Sequence, residues 1–111
     1  MNISGHYKGA WYADEEKTSG SINCIISTNG QIQGIVNDLA NDAYGQINGY
    51  YTLEGEIKCV IQYPGNLSFI EGEINDLQTV KVTDFIECTV KHYLNGSVYD
   101  LMLIIQKIGD L

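Results

Sequence analysis

The sequence contains no arginine, and its six lysines face fourteen acidic residues, so the formal net charge is −8. Nucleic acid is nearly excluded as a partner, because its phosphates are bound through basic side chains. An acidic membrane surface is disfavoured for the same reason. A basic protein partner is permitted, although an acidic surface also serves simply to keep a protein in solution.

Proline and long apolar runs are also scarce. One proline occurs in 111 residues, and no run of 18 apolar residues is present that could span a membrane. The first residues, Met1–Gly5, have neither a basic region nor an apolar core, so we do not expect them to be a signal peptide in this form.

The three cysteines, Cys24, Cys59 and Cys88, form an odd set without the spacing of a metal site. Each has aliphatic residues two positions away on both sides, which predicts small buried core residues with free thiols. Free thiols are typical of a reducing compartment, so the cytoplasm is the predicted location.

The frame Gly-Gln-Ile-x-Gly occurs twice, beginning at Gly30 and at Gly45. Each copy alternates side-chain character with period two, as a strand does, and an internal glycine permits a sharp bend or a close backbone approach. Asn29-Gly30 predicts a type I′ hairpin turn, since both residues tolerate positive φ. The same alternation predicts eight strands, at about residues 5–12, 20–28, 31–37, 45–53, 56–63, 67–74, 79–92 and 97–108.

Eight strands joined by short turns predict one all-β domain over residues 1–111, an antiparallel up-and-down meander closed into a small barrel or flattened barrel. The apolar residues change from odd to even positions between Phe69 and Ile70, which predicts a bulge there. Asp84 falls in an apolar stripe, where burial would raise its pKa. The run Leu101–Ile105 is apolar on both faces. Either both faces are covered within the fold, which we favour, or one meets another subunit.

The first strand contains Gly9-Ala10-Trp11, which resembles the Gly-x-Trp motif of lipocalins and fatty-acid-binding proteins, the calycin group. The repeated frame Gly-Gln-Ile-x-Gly is similar to the glycine-containing strands of avidin-like barrels. The calycin resemblance implies a barrel that Trp11 closes at one end, with a basic residue of the last strand over the indole; Lys107 is the candidate. The chain departs from these families because it is short, lacks arginine and has a single tryptophan.

Few residues are arranged for chemistry. His6 and His92 lack the further ligands that a metal site requires. Cys88 and His92 lie on one strand face about 13 Å apart, beyond hydrogen-bond reach. Glu71 and Glu73 share a strand face, but a filled barrel offers little cleft for the carboxylate pair of a glycosidase. We therefore predict no enzyme, no cofactor and no metal.

Two functions remain open. The profile resembles small acidic inhibitors of basic nucleases and bacterial immunity proteins, which predicts a protein that binds a basic toxin and occludes its active site. The alternative is a calycin-like carrier of a small hydrophobic ligand. A homodimer through the last strand is compatible with either. The predicted partner-binding residues are carboxylates and tyrosines near loops or strand ends: Tyr12, Asp14, Glu15, Glu16, Asp38, Asp42, Tyr44, Tyr50, Glu54, Glu71, Glu73 and Asp76.

Overall fold

The structure, a computed structural model, describes residues 3–13, 18–39, 42–75 and 84–111. Within these residues the chain is all β, with eight strands and no helix. Seven strands begin and end within two residues of their predicted bounds. The strands are β1 (Gly5–Ala13), β2 (Thr18–Ile26), β3 (Gln31–Asp38), β4 (Ala43–Tyr51), β5 (Glu56–Tyr63), β6 (Asn66–Ile74), β7 (Phe85–Leu94) and β8 (Ser97–Gly109).

Each strand pairs antiparallel with the next, and β8 pairs with β1 to close the barrel. Closure removes the free sheet edges on which other chains could pair. This architecture confirms the predicted meander and is compatible with the calycin resemblance. The described part of the chain holds no helix with the length and apolar character needed to cross a bilayer.

The barrel has two ends, which we name after the chain segments found there. The terminal pole carries the turns at residues 27–30 and 52–55, the first described residue, Ile3, and the last, Leu111. The distal pole carries Leu39, Asp42 and the turns at 64–65 and 95–96. Alternate residues of each strand point to the inside or to the outer wall.

The turn at Asn29-Gly30 is a hairpin, but the predicted type I′ geometry is wrong. Only Gly30 has a positive φ, of 90°, and its amide donates to the carbonyl of Ser27 at 3.1 Å. One residue with positive φ after a tight turn is typical of a longer hairpin loop. The type I′ pattern occurs instead at Asn95-Gly96, where both residues have positive φ, 50° and 82°.

Glycines of the repeated frame make corners where neighbouring backbones come close. Gly34 lies opposite Cys24, and Gly49 lies opposite Cys59. A Cβ on either glycine would lie 2.6 Å from the Cα of its opposite cysteine, which no side chain can tolerate. The repeated frame therefore marks two close backbone approaches in the barrel wall, one of the two alternatives that the sequence predicts. Comparable approaches occur at two further corners, Gly9 and Gly72.

The predicted bulge in the sixth strand is wrong. β6 keeps an unbroken register with both neighbours, and Ser68 and Ile70 point inside while Leu67 and Phe69 point to the outer wall. The change of apolar positions thus reflects apolar side chains on the outer wall and a serine inside, not a bulge. The only register shift in the described ladders lies between His6 and Tyr7, opposite β8.

Two expectations about the last strands are also corrected. Asp84 is exposed in a bend before β7 and is not part of a buried apolar stripe. The preceding stretch of the predicted seventh strand lies outside the described residues. In β8 the two faces differ: Leu101, Leu103 and Ile105 are buried, whereas Ile104 is 46% exposed and Met102 half-buried. The outer face of this strand is therefore not fully covered within the fold.

The interior is filled by side chains. Cys24, Cys59 and Cys88 are buried with free thiols, as predicted, and burial raises the pKa of each to about 12. The voids found inside the barrel have volumes of about 30 Å³, far below the roughly 300–1,000 Å³ typical of ligand pockets.

Trp11 points inside near the distal pole, half-buried, and its Nε1 donates to the carbonyl of Asn37 at 3.2 Å. The implied placement of Lys107 over this indole is wrong. Lys107 lies opposite Tyr7 near the other pole and pairs with Asp110 at 2.8 Å, whereas Trp11 lies opposite Leu103. The calycin resemblance thus extends to the barrel but not to this contact.

Candidate binding surface

The predicted partner-binding residues that the structure describes lie in two places. Tyr12, Asp38, Asp42 and Tyr44 lie at or near the distal pole. The rings of Tyr12 and Tyr44 are exposed, while Asp38 is half-buried. Four further candidates, Asp14, Glu15, Glu16 and Asp76, lie outside the described residues.

The remaining candidates lie on one side of the barrel. Tyr50, Glu71 and Glu73 are exposed on the outer wall, and Glu54 is exposed in the turn that leads into β5. The structure therefore brings these four near one another and separates them from the distal-pole group. Their common surface is the outer wall of β5–β8, together with the adjoining edge of β4.

Near the terminal pole this wall carries four exposed glutamates, which we call the carboxylate cluster: Glu54, Glu56, Glu73 and Glu87. Glu56 lies directly opposite Glu73 in the β5–β6 ladder. Glu87 accepts a hydrogen bond from the Asn75 amide at 3.2 Å. None of the four forms an ion pair with a lysine in the part of the chain that the structure describes. Like charges directly opposite each other destabilise a sheet.

Next along the wall is a row of alternating charge, the charged row, formed by Lys58, Glu71, Lys91 and Asp100 on four successive strands. Lys91 Nζ lies 2.9 Å from Asp100 Oδ1, and this hydrogen bond raises the pKa of Lys91. The row carries two positive and two negative side chains, so it is neutral overall. Glu71, between two lysines, is therefore not part of an acidic patch.

Toward the distal pole follows an apolar row of four residues directly opposite one another in the ladders: Val60, Phe69, Tyr93 and Val98. Phe69 is 48% exposed and Val98 53% exposed. Leu67, the next outward residue of β6, is 47% exposed. Isolated exposed apolar residues are ordinary, but a contiguous apolar row beside charged residues is typical of an interaction site.

Two shallow grooves follow these rows. One, of about 530 Å³, runs between the carboxylate cluster and the charged row. The other, of about 470 Å³, lies between Tyr50 and Tyr93 and includes Phe69. Both are lined by Lys58 and Glu71, so the two grooves adjoin each other.

Sequence reasoning missed most of this wall. It identified Tyr50, Glu54, Glu71 and Glu73, but neither the lysines of the charged row nor the apolar row. The signal was present as the change of apolar positions in β6, which we interpreted as a bulge rather than as outward apolar side chains. Cross-strand register, which a single sequence does not give, is what aligns these residues.

The inside of the distal pole holds a second group of polar residues. The Nε2 atom of His92 and the Oγ atom of Ser68 are buried without a hydrogen-bond partner among the described residues. Burial lowers the pKa of His92, and the Asp38 carboxylate partly opposes this shift. The His92 ring lies 6.3 Å from that of Tyr99, centroid to centroid.

These groups do not form a catalytic arrangement in the described residues. Cys88 points inside like His92, but burial raises its thiol pKa to about 12, so it is protonated at neutral pH. No group of three or more His, Cys, Asp or Glu side chains in the described ranges is placed to hold a metal ion. The exposed wall is thus the stronger candidate for function.

Comparisons of the chain with protein-family models, with curated proteins and with solved structures found no match. The class that the fold defines is a small closed eight-stranded antiparallel barrel.

Proposed function

We propose that this chain is a non-catalytic binding protein of the immunity or inhibitor type, which neutralises a basic protein partner. The carboxylate cluster would occupy a cationic cleft of that partner, and a toxin nuclease is the partner class that fits best. Such a cleft binds phosphates through basic residues, and carboxylates on the inhibitor would take their place. A cytoplasmic location follows from the same proposal.

The observation that carries this proposal is the facing pair Glu56 and Glu73. Two like charges directly opposite each other weaken the sheet, and no described lysine pairs with either. A basic partner would relieve this repulsion on binding. The net charge of −8 would also speed the encounter with a basic protein, in a way that salt screens.

Carriage of a hydrophobic ligand has less support. The interior voids of about 30 Å³ are too small for a lipid, and the chain has no arginine to hold a carboxylate. The calycin resemblance therefore points to a shared barrel rather than to a shared cargo.

The test uses the purified chain and a basic protein captured from the source lysate or encoded by the adjacent gene. Association is measured at low and at high NaCl for the wild type and for the double variant Glu56→Gln with Glu73→Gln. We expect the double variant to associate about tenfold more slowly at low salt, with a smaller loss of rate on adding NaCl.

Asp42→Asn is the control, because Asp42 is exposed at the opposite pole and asparagine accepts its positive φ of 47°. If Asp42→Asn slows association and the double variant does not, the binding surface lies at the distal pole instead. Salt-independent binding by the wild type, or recovery of lipids alone, would refute the proposal.

A further inference from the structure

The charged row and the apolar row have a property that the carboxylate cluster lacks: both are self-complementary. The charged row reads Lys58, Glu71, Lys91, Asp100 across β5 to β8, that is plus, minus, plus, minus. Reversed, the same row reads minus, plus, minus, plus. A row with this order meets its own reversed copy with every charge opposite an unlike charge.

From this geometry we infer that the outer wall of β5–β8 is the interface of a symmetric homodimer, with a twofold axis parallel to the strands and midway between β6 and β7. This axis reverses the order of the strands in the second copy. Glu71 then faces Lys91 of the second copy, and Lys58 faces Asp100. Because the axis is parallel to the strands, each row meets the same row of its partner.

The apolar row obeys the same operation. Phe69 faces Tyr93 of the second copy, and Val60 faces Val98. The central contact is therefore aromatic against aromatic, an arrangement favoured in the buried centre of interfaces. Near the terminal pole, Glu56 and Glu73 face the uncharged Met102 and Thr89 rather than each other, since the in-register order there is Glu56, Glu73, Thr89, Met102.

The wall is also large enough for association. A standard interface covers about 800 Å² of each partner, roughly an eighth of the 6511 Å² surface of this chain. Four of the eight strands present their outer faces on this wall. Repulsion between two chains of net charge −8 opposes the dimer, so we expect it to form at micromolar rather than nanomolar concentration.

The charge order gives a mixing experiment that uses this protein alone. Glu71→Lys places two lysines opposite each other at the centre of the dimer, and Lys91→Glu places two glutamates there. Each variant should be monomeric by analytical ultracentrifugation where the wild type has twice the 12.3 kDa chain mass. An equal mixture of the two variants restores an unlike pair at both positions, so the dimer should return as a heterodimer.

Lys8→Glu is the matched control, because it makes the same charge change as Lys91→Glu at an exposed position of β1, next to β8 but outside the four strands of the wall. It should dimerise like the wild type. If either central variant fails to fold by circular dichroism, Lys58→Glu and Asp100→Lys provide a second pair with the same mixing logic.

Three results would overturn the inference: a wild type that is monomeric up to millimolar concentration, central variants that still dimerise, or a mixture that stays monomeric. None of these results depends on the basic partner, because no partner is present. The dimer test is therefore separate from the test of the immunity function. Both use the wall of β5–β8, so a basic partner bound at Glu56 and Glu73 would displace the second copy.

Discussion

The inner face and the outer wall of β5–β8 follow different rules although they belong to the same strands. Inside, Ile57, Ile70, Ile86 and Leu103 are at most 8% exposed and pack around the filled core. Outside, the same strands present Phe69 and three other apolar side chains in a row, with carboxylates that have no described ion-pair partner. Burial accounts for these inner apolar residues, but not for the outer arrangement.

In a filled barrel, the outer wall is more informative about binding than the inner face. A hydrophobic core follows from burial alone, so its residues carry no information about partners. Exposed apolar residues and facing like charges cost stability, or gain none, in the isolated chain. Their alignment on one wall is what favours a binding role for that wall.

The largest effect should come from filling a corner on the inner face. Gly49→Ala would place a Cβ 2.6 Å from the Cα of Cys59, so the two strands must separate. We expect a loss of unfolding free energy at or above the upper end of the usual range of about 1–3 kcal/mol for overpacking. Gly109→Ala is the control in urea denaturation, because no atom lies within 4 Å of its Cβ. Equal urea midpoints for the Gly49→Ala and Gly109→Ala chains would contradict the close approach of Gly49 to Cys59.

Two adjacent residues of β6, one on the inner face and one on the outer wall, should respond differently to substitution. Ile70→Ala, at 5% exposure, should lower the free energy of unfolding by about 3 kcal/mol and leave any dimer intact. Phe69→Thr, at 48% exposure, should cost less than about 1 kcal/mol and abolish the dimer. Thermal denaturation and sedimentation measure the two effects separately. A Phe69→Thr chain that is as unstable as Ile70→Ala would remove the distinction between the faces.

The sequence predicted the inner face better than the outer wall for a physical reason. Period-two alternation and glycine-containing turns act locally, so they revealed eight strands, the barrel and the buried cysteines. The outer rows depend on which residues of four strands lie opposite one another. Phe69 meets Tyr93 across 24 positions of sequence, and nothing local specifies that contact. Asp84 is in phase with the buried residues of β7, yet it precedes that strand in an exposed bend, because phase alone does not show where a strand begins.

A smaller effect concerns the serine inside the barrel. Ser68 is fully buried, and its Oγ has no hydrogen-bond partner among the described residues. Ser68→Ala should therefore raise the unfolding free energy by about 1 kcal/mol, because an unsatisfied hydroxyl is removed from the core. Ser97→Ala, at an exposed position, is the control for the substitution itself. A destabilised Ser68→Ala chain would show that the hydroxyl is bonded.

The smallest effect is a dependence of stability on pH. Burial lowers the pKa of His92 in the folded chain, despite Asp38 nearby, so the unfolded chain takes up the proton more readily. Stability should be unaffected by this group above the unfolded pKa of about 6.5 and should fall as the pH drops below it. His92→Phe should flatten that part of the profile, measured by urea denaturation at a series of pH values. If the slope of unfolding free energy against pH is the same in His92→Phe and the wild type, His92 takes up its proton equally well in the folded and unfolded chains.

We propose that the wall of β5–β8 is the face through which two copies of this chain associate, in contrast to the exposed wall of β2 and β3. A direct test follows the backbone amide signals of isotope-labelled protein by nuclear magnetic resonance as its concentration is raised. We predict shifts at Lys58, Phe69, Glu71 and Tyr93, and none at Ile25 or Ile35, which are exposed apolar residues on the opposite wall with polar cross-strand neighbours. Shifts confined to the wall of β2 and β3, or none at any concentration, would contradict the claim.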